Sequence, residues 1–287
     1  MTRTFLRDIP KIAAGSASLL AAAYVGLSPR VAGALYANML FHPNRYPEGD
    51  YDCGEIAGIK AEDVFFAGAD GKMLHGWHLS VPGSTKTLLF SHGNTGNLTG
   101  RPHLLAVLLK CGASVFIYDY RGYGRSDGTP TVQGICDDGR AAFDHLEKER
   151  RLKASSIVLY GESLGAAVSC QVSATRNCAG MILQSGFSSL RQIGIEMLPL
   201  MKIYPSALFP RPGLDSAQVL EKNTRPLLII HGEKDGVVPF SHARELYQRA
   251  QKPKSFMPLP AAAHNDICFV AADQFIDSVK TFLMALP

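Results

Sequence analysis

Short apolar runs alternate with longer amphipathic segments along most of the 287-residue chain. Runs such as TLLF, VFIY, IVLY and PLLII are typical of strands that are buried on both faces of a sheet. The pattern predicts strands at Asp63–Ala67, Leu74–Val81, Thr87–Ser91, Ser114–Asp119, Ile157–Tyr160, Met181–Gln184, Leu227–His231 and Ser255–Leu259. It predicts helices at Arg101–Cys111, Val132–Arg150, Leu164–Thr175, Ser241–Gln251 and Cys268–Leu286.

This alternation predicts an α/β fold with a mostly parallel, eight-stranded sheet and helices on both of its faces. A short link at residues 68–71 joins the first two strands, so we expect an antiparallel hairpin at one edge. Residues 185–225 interrupt the alternation with apolar side chains and four prolines. We expect a cap over the C-terminal edge of the sheet, where open α/β sheets bind ligands. The cap either covers core or forms an apolar wall for an acyl group.

The first 45 residues have a different character from residues 46–287, and we expect a domain boundary between them. Ile12 to Ser28 contains no charged residue, and Arg3, Arg7 and Lys11 precede it. Three interpretations remain open: an uncleaved membrane anchor, a cleaved signal peptide, or a helix packed on the main domain. An anchor would place the main domain on the non-cytoplasmic side, and cleavage would give a secreted or periplasmic protein.

The formal net charge of +4 resides entirely in residues 1–45, and the remaining residues are electrically balanced. A nucleic-acid-binding protein would show a larger, clustered basic excess, so we expect no nucleic-acid partner. The motifs H-E-x-x-H, G-x-x-x-x-G-K-S/T and G-x-G-x-x-G do not occur in a suitable context. We therefore expect neither a metal nor an organic cofactor.

The strongest chemical signal is Gly161-Glu162-Ser163-Leu164-Gly165, which follows a predicted strand and opens a predicted helix. A G-x-S-x-G motif in this position is typical of a nucleophile elbow, a tight turn that projects its serine hydroxyl. The hydroxyl then lies at a helix N-terminus, where backbone N–H groups favour developing negative charge. We predict that Ser163 is a nucleophile.

A serine nucleophile needs a base, and the base needs an acid to orient it. Asp235 follows the predicted strand that ends in His231, and His264 follows the last predicted strand. Both residues leave a C-terminal strand end, the same edge as Ser163, in the chain order Ser, Asp, His. We predict that these three residues form a catalytic triad.

An oxyanion hole requires two backbone donors aimed at one point. Leu164 directly follows the nucleophile and is expected to supply one N–H group. Asn94, in the loop after the third predicted strand, is expected to supply the other. The candidate lining of the substrate pocket comprises Tyr123, Phe187, Met197 and Met201.

The segments SHGNTGN, DYRGYGRSDG, GESLG, HGEKDGVVP and AAAHND occur together and in this order. In this the chain resembles the α/β-hydrolase serine hydrolases, in particular the branch with membrane-anchored α/β-hydrolase-domain proteins and protein depalmitoylases. The resemblance implies the α/β-hydrolase fold and the same triad and oxyanion residues. The chain lacks the N-terminal cysteine cluster that the depalmitoylases use for lipid attachment.

These features predict a hydrolase that cleaves a carboxylic ester or thioester through an acyl-serine intermediate, without a cofactor. The expected substrate is a small-molecule or lipid-like acyl ester or thioester, and the expected membrane association is through the N-terminus. A serine peptidase or amidase could use the same triad. A catalytically silent, membrane-tethered binding protein is the alternative of another class.

Overall fold

The computed structural model describes residues 18–45 and 54–287. Its strands are β1 (His42–Pro43), β2 (Glu55–Ile56), β3 (Ile59–Ala67), β4 (Met73–Leu79), β5 (Thr87–Ser91), β6 (Thr95–Gly96), β7 (Ser114–Tyr118), β8 (Ile157–Glu162), β9 (Gly180–Gln184), β10 (Leu227–Gly232) and β11 (Lys254–Leu259). Within the described residues, nine of these strands form one sheet in the order β11-β10-β9-β8-β5-β7-β4-β3-β2, and β1 pairs with β6. Strands β11 to β7 in this order are parallel. The hairpin partners β4, β3 and β2 complete the sheet in antiparallel pairs.

The helices are α1 (residues 18–26), α2 (Gly33–Leu40), α3 (Pro102–Lys110), α4 (Val132–Lys148), α5 (Leu164–Ser173), α6 (Leu190–Met197), α7 (Ser216–Leu220), α8 (Phe240–Arg249), α9 (Ile267–Val270) and α10 (Ala272–Met284). Apolar side chains of α4, α5, α7 and α8 form the core on one face of the sheet. Those of α3, α9 and α10 form the core on the other face. All side chains of β5 and β7 are buried, as expected for strands covered on both sides.

The predicted α/β-hydrolase fold is confirmed, and so is the antiparallel hairpin near the sheet edge. The sheet has one strand more than the eight predicted, because β2 is only two residues long and leaves no alternating pattern in the sequence. The last predicted helix is divided into α9 and α10 at Ala271, whose backbone angles, φ −137° and ψ 37°, are not helical.

Residues 185–226, between β9 and β10, contain α6, two short 3₁₀ helices and α7. The N-terminal helices pack against this cap. The ring of Tyr24 stacks on that of Tyr204 with centroids 5.0 Å apart, and the N–H group of Arg30 donates to the carbonyl of Leu208 at 2.9 Å. These two contacts agree with the third N-terminal interpretation, a helix packed on the main domain.

In the part of the chain that the structure describes, no helix is both long enough and apolar enough to cross a membrane. The predicted apolar segment begins at Ile12, and its first six residues lie outside the described residues. The predicted membrane anchor therefore lies partly outside the described residues and stays a prediction.

Candidate active site

Ser163 lies in the sharp turn between β8 and α5, at the carboxyl edge of the sheet. Its backbone angles are φ 55° and ψ −114°, a region that non-glycine residues rarely occupy. Such strain persists only where the surrounding structure enforces it, and it concentrates at functional sites. Here the strain turns the serine side chain out of the sheet edge.

The two glycines of the motif are required by close contacts of the backbone. A Cβ atom on Gly165 would lie 1.8 Å from the carbonyl oxygen of Ser91, at the end of the neighbouring strand β5. A Cβ atom on Gly161 would lie 2.4 Å from the carbonyl oxygen of Gly165. The turn therefore closes, and α5 approaches β5, only because both positions lack a side chain.

The structure brings together the three residues predicted to form the triad. The Nε2 atom of His264 lies 3.1 Å from the Oγ atom of Ser163. The Nδ1 atom of His264 lies 2.6 Å from the Oδ2 atom of Asp235. These residues come from the ends of β8, β10 and β11, which lie on one side of the parallel sheet and end at the same edge.

The Asp235 carboxylate is buried, and both of its oxygen atoms have polar partners. Its Oδ1 atom accepts hydrogen bonds from the N–H groups of Val237 and Val238, both at 2.8 Å. Its Oδ2 atom lies 3.2 Å from the Nε2 atom of His231, in addition to the His264 contact. Burial by itself would raise the pKa of Asp235, but the hydrogen bonds from the two histidines outweigh it and hold the pKa well below its usual value.

The two predicted oxyanion donors flank Ser163. Leu164 is the first residue of α5, and Asn94 lies between β5 and β6. The loop of Asn94 passes close to Ser163, since a Cβ atom on Gly93 would lie 3.6 Å from the Cβ atom of Ser163. Among the described residues, neither the Leu164 nor the Asn94 backbone N–H group donates to another group, so both are available to a ligand.

Glu162 and Arg101 hold the oxyanion loop, residues 91–97, on both sides of Asn94. The Glu162 carboxylate accepts a hydrogen bond from the Gly93 N–H group at 3.2 Å and one from the Nε atom of Arg101 at 2.8 Å. The Nη2 atom of Arg101 donates to the carbonyl of Thr95 at 3.1 Å. Because these contacts are charged and largely shielded from water, they restrict the loop more than neutral surface contacts would.

Tyr123, predicted to line the pocket, lies instead beneath the oxyanion loop. Its side chain is buried, and its hydroxyl donates to the carbonyl of Asn94 at 2.7 Å. Tyr120 supports the same loop, because its hydroxyl donates to the carbonyl of His92 at 2.8 Å. The His92 ring lies next to Asp119, with its Nε2 atom 3.2 Å from the Oδ1 atom.

A largely apolar cavity of about 730 Å³ lies between α2, residues 129–133 and the cap. Met197 and Met201, two of the four candidate pocket residues, line it. Tyr123 and Phe187 do not line it, and Phe187 is buried in the hydrophobic core. Ser163 is not part of the lining either.

The cavity reaches the oxyanion loop through α2. Leu40, the last residue of α2, lines the cavity, and its carbonyl accepts a hydrogen bond from the Asn94 side chain at 2.9 Å. A single hydrogen bond therefore connects a residue of the cavity wall, Leu40, with Asn94, the residue of one proposed oxyanion donor.

Sequence reasoning did not assign roles at the site to Glu162, Arg101 or His231. Arg101 and Glu162 are separated by 61 positions, and no local pattern connects them. His231 lies near the end of β10, four residues before Asp235, and that spacing was the one available signal. The sequence gives no direct indication of the side-chain orientations that bring these groups together.

Comparisons with known proteins agree with this geometry. The sequence model of the family described as serine aminopeptidase, S33, matches residues 83–219. YfhR of Escherichia coli (strain K12) is 32% identical over 72% of this chain and 74% of its own length. Alpha/beta hydrolase domain-containing protein 17C of Xenopus laevis is 34% identical over 70% of this chain and 62% of its length. The solved structure of the Pyrococcus furiosus esterase Pf2001 superposes with a TM-score of 0.70 at 23% identity, covering 85% of this chain and 97% of the esterase.

The chain therefore belongs to the α/β-hydrolase family and is a hydrolase.

Proposed function

We propose that this protein is a serine hydrolase that cleaves a carboxylic ester or thioester through an acyl-Ser163 intermediate. The observation that carries the proposal is the continuous contact from Ser163 through His264 to Asp235, at 3.1 Å and 2.6 Å, on a strained turn. Two observations support it: the similar fold of a solved esterase, and the N–H groups of Leu164 and Asn94, which donate to no other group among the described residues.

In the proposed mechanism, His264 accepts the Ser163 proton at Nε2 while the Oγ atom attacks the carbonyl carbon of the substrate. The N–H groups of Leu164 and Asn94 stabilise the oxyanion of the tetrahedral intermediate. His264 then protonates the leaving alcohol or thiol, and afterwards it activates a water molecule that hydrolyses the acyl-enzyme. Asp235 keeps the Nδ1 proton in place and stabilises the imidazolium that forms.

Replacement of the nucleophile tests the proposal, with a short p-nitrophenyl ester as substrate. Ser163→Ala should abolish turnover and labelling by a fluorophosphonate probe. Ser169→Ala is the matched control, because this residue lies in the same helix and its hydroxyl has no hydrogen-bond partner within the described residues. Turnover by purified Ser163→Ala at the wild-type rate would overturn the assignment.

A serine peptidase or amidase is the second candidate, because the matching family model is described as a serine aminopeptidase. The same triad serves both reactions, and the leaving group distinguishes them. Matched p-nitrophenyl ester and p-nitroanilide substrates with the same acyl group measure the preference directly. A higher kcat/KM for the anilide would favour the amidase over the esterase.

We further propose that the apolar cavity accommodates the acyl chain of the substrate. Its volume lies within the roughly 300–1,000 Å³ typical of small-molecule sites. Its wall at Leu40 adjoins Asn94, beside which the substrate carbonyl would bind. Met197 and Met201 supply flexible apolar surface that suits a linear chain.

A series of esters that differ in acyl-chain length tests the role of the cavity. Ala37→Phe places a ring into the cavity and should lower kcat/KM for long chains, with short chains unaffected. Ala32→Phe precedes the same helix, outside the lining, and serves as control. Equal responses of long and short chains to Ala37→Phe would contradict this role.

A further inference from the structure

Residues 40–45, which begin at the last residue of α2, run alongside the oxyanion loop and form an N-terminal strap. Two hydrogen bonds join the strap to Asn94, one to its side chain and one to its backbone carbonyl. The Asn94 side-chain amide donates to the carbonyl of Leu40 at 2.9 Å, and the His42 N–H group donates to the carbonyl of Asn94 at 3.0 Å. Strand β1 of the strap pairs in parallel with β6, with His42 opposite Thr95.

Further along the strap, Asn44 joins the oxyanion loop to the Gly-rich loop at residues 121–128. Its N–H group donates to the carbonyl of Gly96 at 2.9 Å. Its carbonyl accepts from the Asn97 side-chain amide and from the Gly124 N–H group, both at 3.0 Å. The strap therefore lies between two loops of the catalytic domain and contacts both through hydrogen bonds.

All five of these bonds use backbone atoms of the strap, so they depend on its position and little on its side chains. That position is set from the other direction by α2, which ends at Leu40, and by the contacts of Tyr24 and Arg30 with the cap. A shift of the N-terminal helices relative to the cap would accordingly reach Asn94 through a continuous chain of contacts.

We infer that the N-terminal strap is a positioning element of the oxyanion hole, which acts on the site only through the contacts of its backbone atoms with Asn94 and the neighbouring loop. The inference rests on the proposed function, because it concerns the N–H group of Asn94 as an oxyanion donor. Oxyanion stabilisation depends on donors that are already correctly placed before the reaction, and a displacement of about 1 Å can cost up to about 100-fold in rate.

The substitution His42→Pro tests the inference, because proline lacks the N–H group that donates to Asn94. Phe41, before it, has φ −111° and ψ 124°, a conformation that a following proline tolerates. His42→Ala is the matched control, since it retains that N–H group and removes only an exposed side chain. The Asn94 carbonyl would still accept from the Tyr123 hydroxyl, so no buried acceptor is left without a donor.

His42→Pro should lower kcat for a p-nitrophenyl ester about three- to tenfold, the range of a single neutral hydrogen bond, with KM unchanged. The inhibition constant of a trifluoromethyl ketone, which forms a tetrahedral adduct with the serine, should rise by the same factor. His42→Ala should match the wild type in both measurements. This joint change in kcat and adduct affinity is not expected from a merely structural role.

If His42→Pro does not fold, as judged by circular dichroism, Asn94→Ala decides the question. It retains the backbone N–H group and removes the side-chain bond to Leu40. Wild-type kcat and inhibitor affinity in the folded variant would overturn the inference, provided that Ser163→Ala is inactive. Activity of Ser163→Ala would instead show that the proposed function itself is wrong.

Discussion

Asp235→Asn changes one atom of the proposed triad and gives the sharpest prediction. The asparagine oxygen can still accept from the N–H groups of Val237 and Val238. Its NH₂ group, however, takes the place of the Oδ2 atom that lies 2.6 Å from the Nδ1 atom of His264. A donor at that point requires an unprotonated Nδ1, so the imidazole proton moves to Nε2, where His264 can no longer accept the Ser163 proton.

The expected loss in kcat is about 10⁴-fold, which corresponds to roughly 5.5 kcal/mol of transition-state stabilisation. Steady-state kinetics with a short p-nitrophenyl ester measure it, and KM should change little because Asp235 does not contact the substrate in the proposed mechanism. Glu233→Gln is the control: it removes a negative charge from the same loop, but Glu233 is exposed. A kcat within tenfold of the wild type for Asp235→Asn would refute the reasoning.

The same variant should alter the pH dependence of stability. Hydrogen bonds from two histidines lower the pKa of Asp235 in the folded protein despite its burial, so the ionised carboxylate stabilises the native state above its unfolded pKa of about 4. That contribution is lost as the pH falls through the lowered pKa. The difference in unfolding free energy between wild type and Asp235→Asn, from urea titrations, should therefore shrink below about pH 4. A difference that grows on acidification would contradict this sign.

Two further substitutions test the construction of the site. Gly165→Ala places a Cβ atom 1.8 Å from the Ser91 carbonyl oxygen, so the unfolding free energy should fall by about 3 kcal/mol in urea titrations; wild-type stability would contradict the close approach. Glu162→Gln replaces charge-assisted bonds to Gly93 and Arg101 by neutral ones, which should cost about 1.5 kcal/mol, or roughly tenfold in kcat, with KM unchanged. An unchanged kcat would mean that this contact does not position the oxyanion loop.

The sequence by itself determined the sheet and the position of the proposed nucleophile. Strands such as β5 and β7 are apolar along their whole length because both of their faces are buried, and this is visible as local pattern. Gly161 is a local requirement of the turn, because a Cβ atom there would meet the carbonyl oxygen of Gly165, so the motif carries the geometry of Ser163 directly. Asp235 and His264 were predictable because both follow strands whose ends share one edge of a parallel sheet.

Tertiary structure decided how the loops around Ser163 are held. The bonds of Glu162 to Gly93, of Tyr123 to Asn94 and of Asn94 to Leu40 join segments far apart in the chain. Such bonds leave no periodic pattern, because each depends on the direction of one side chain and on the packing of two separate elements. The sequence thus specified the chemical groups at the sheet edge, and long-range packing of the cap, strap and loops specified their orientation.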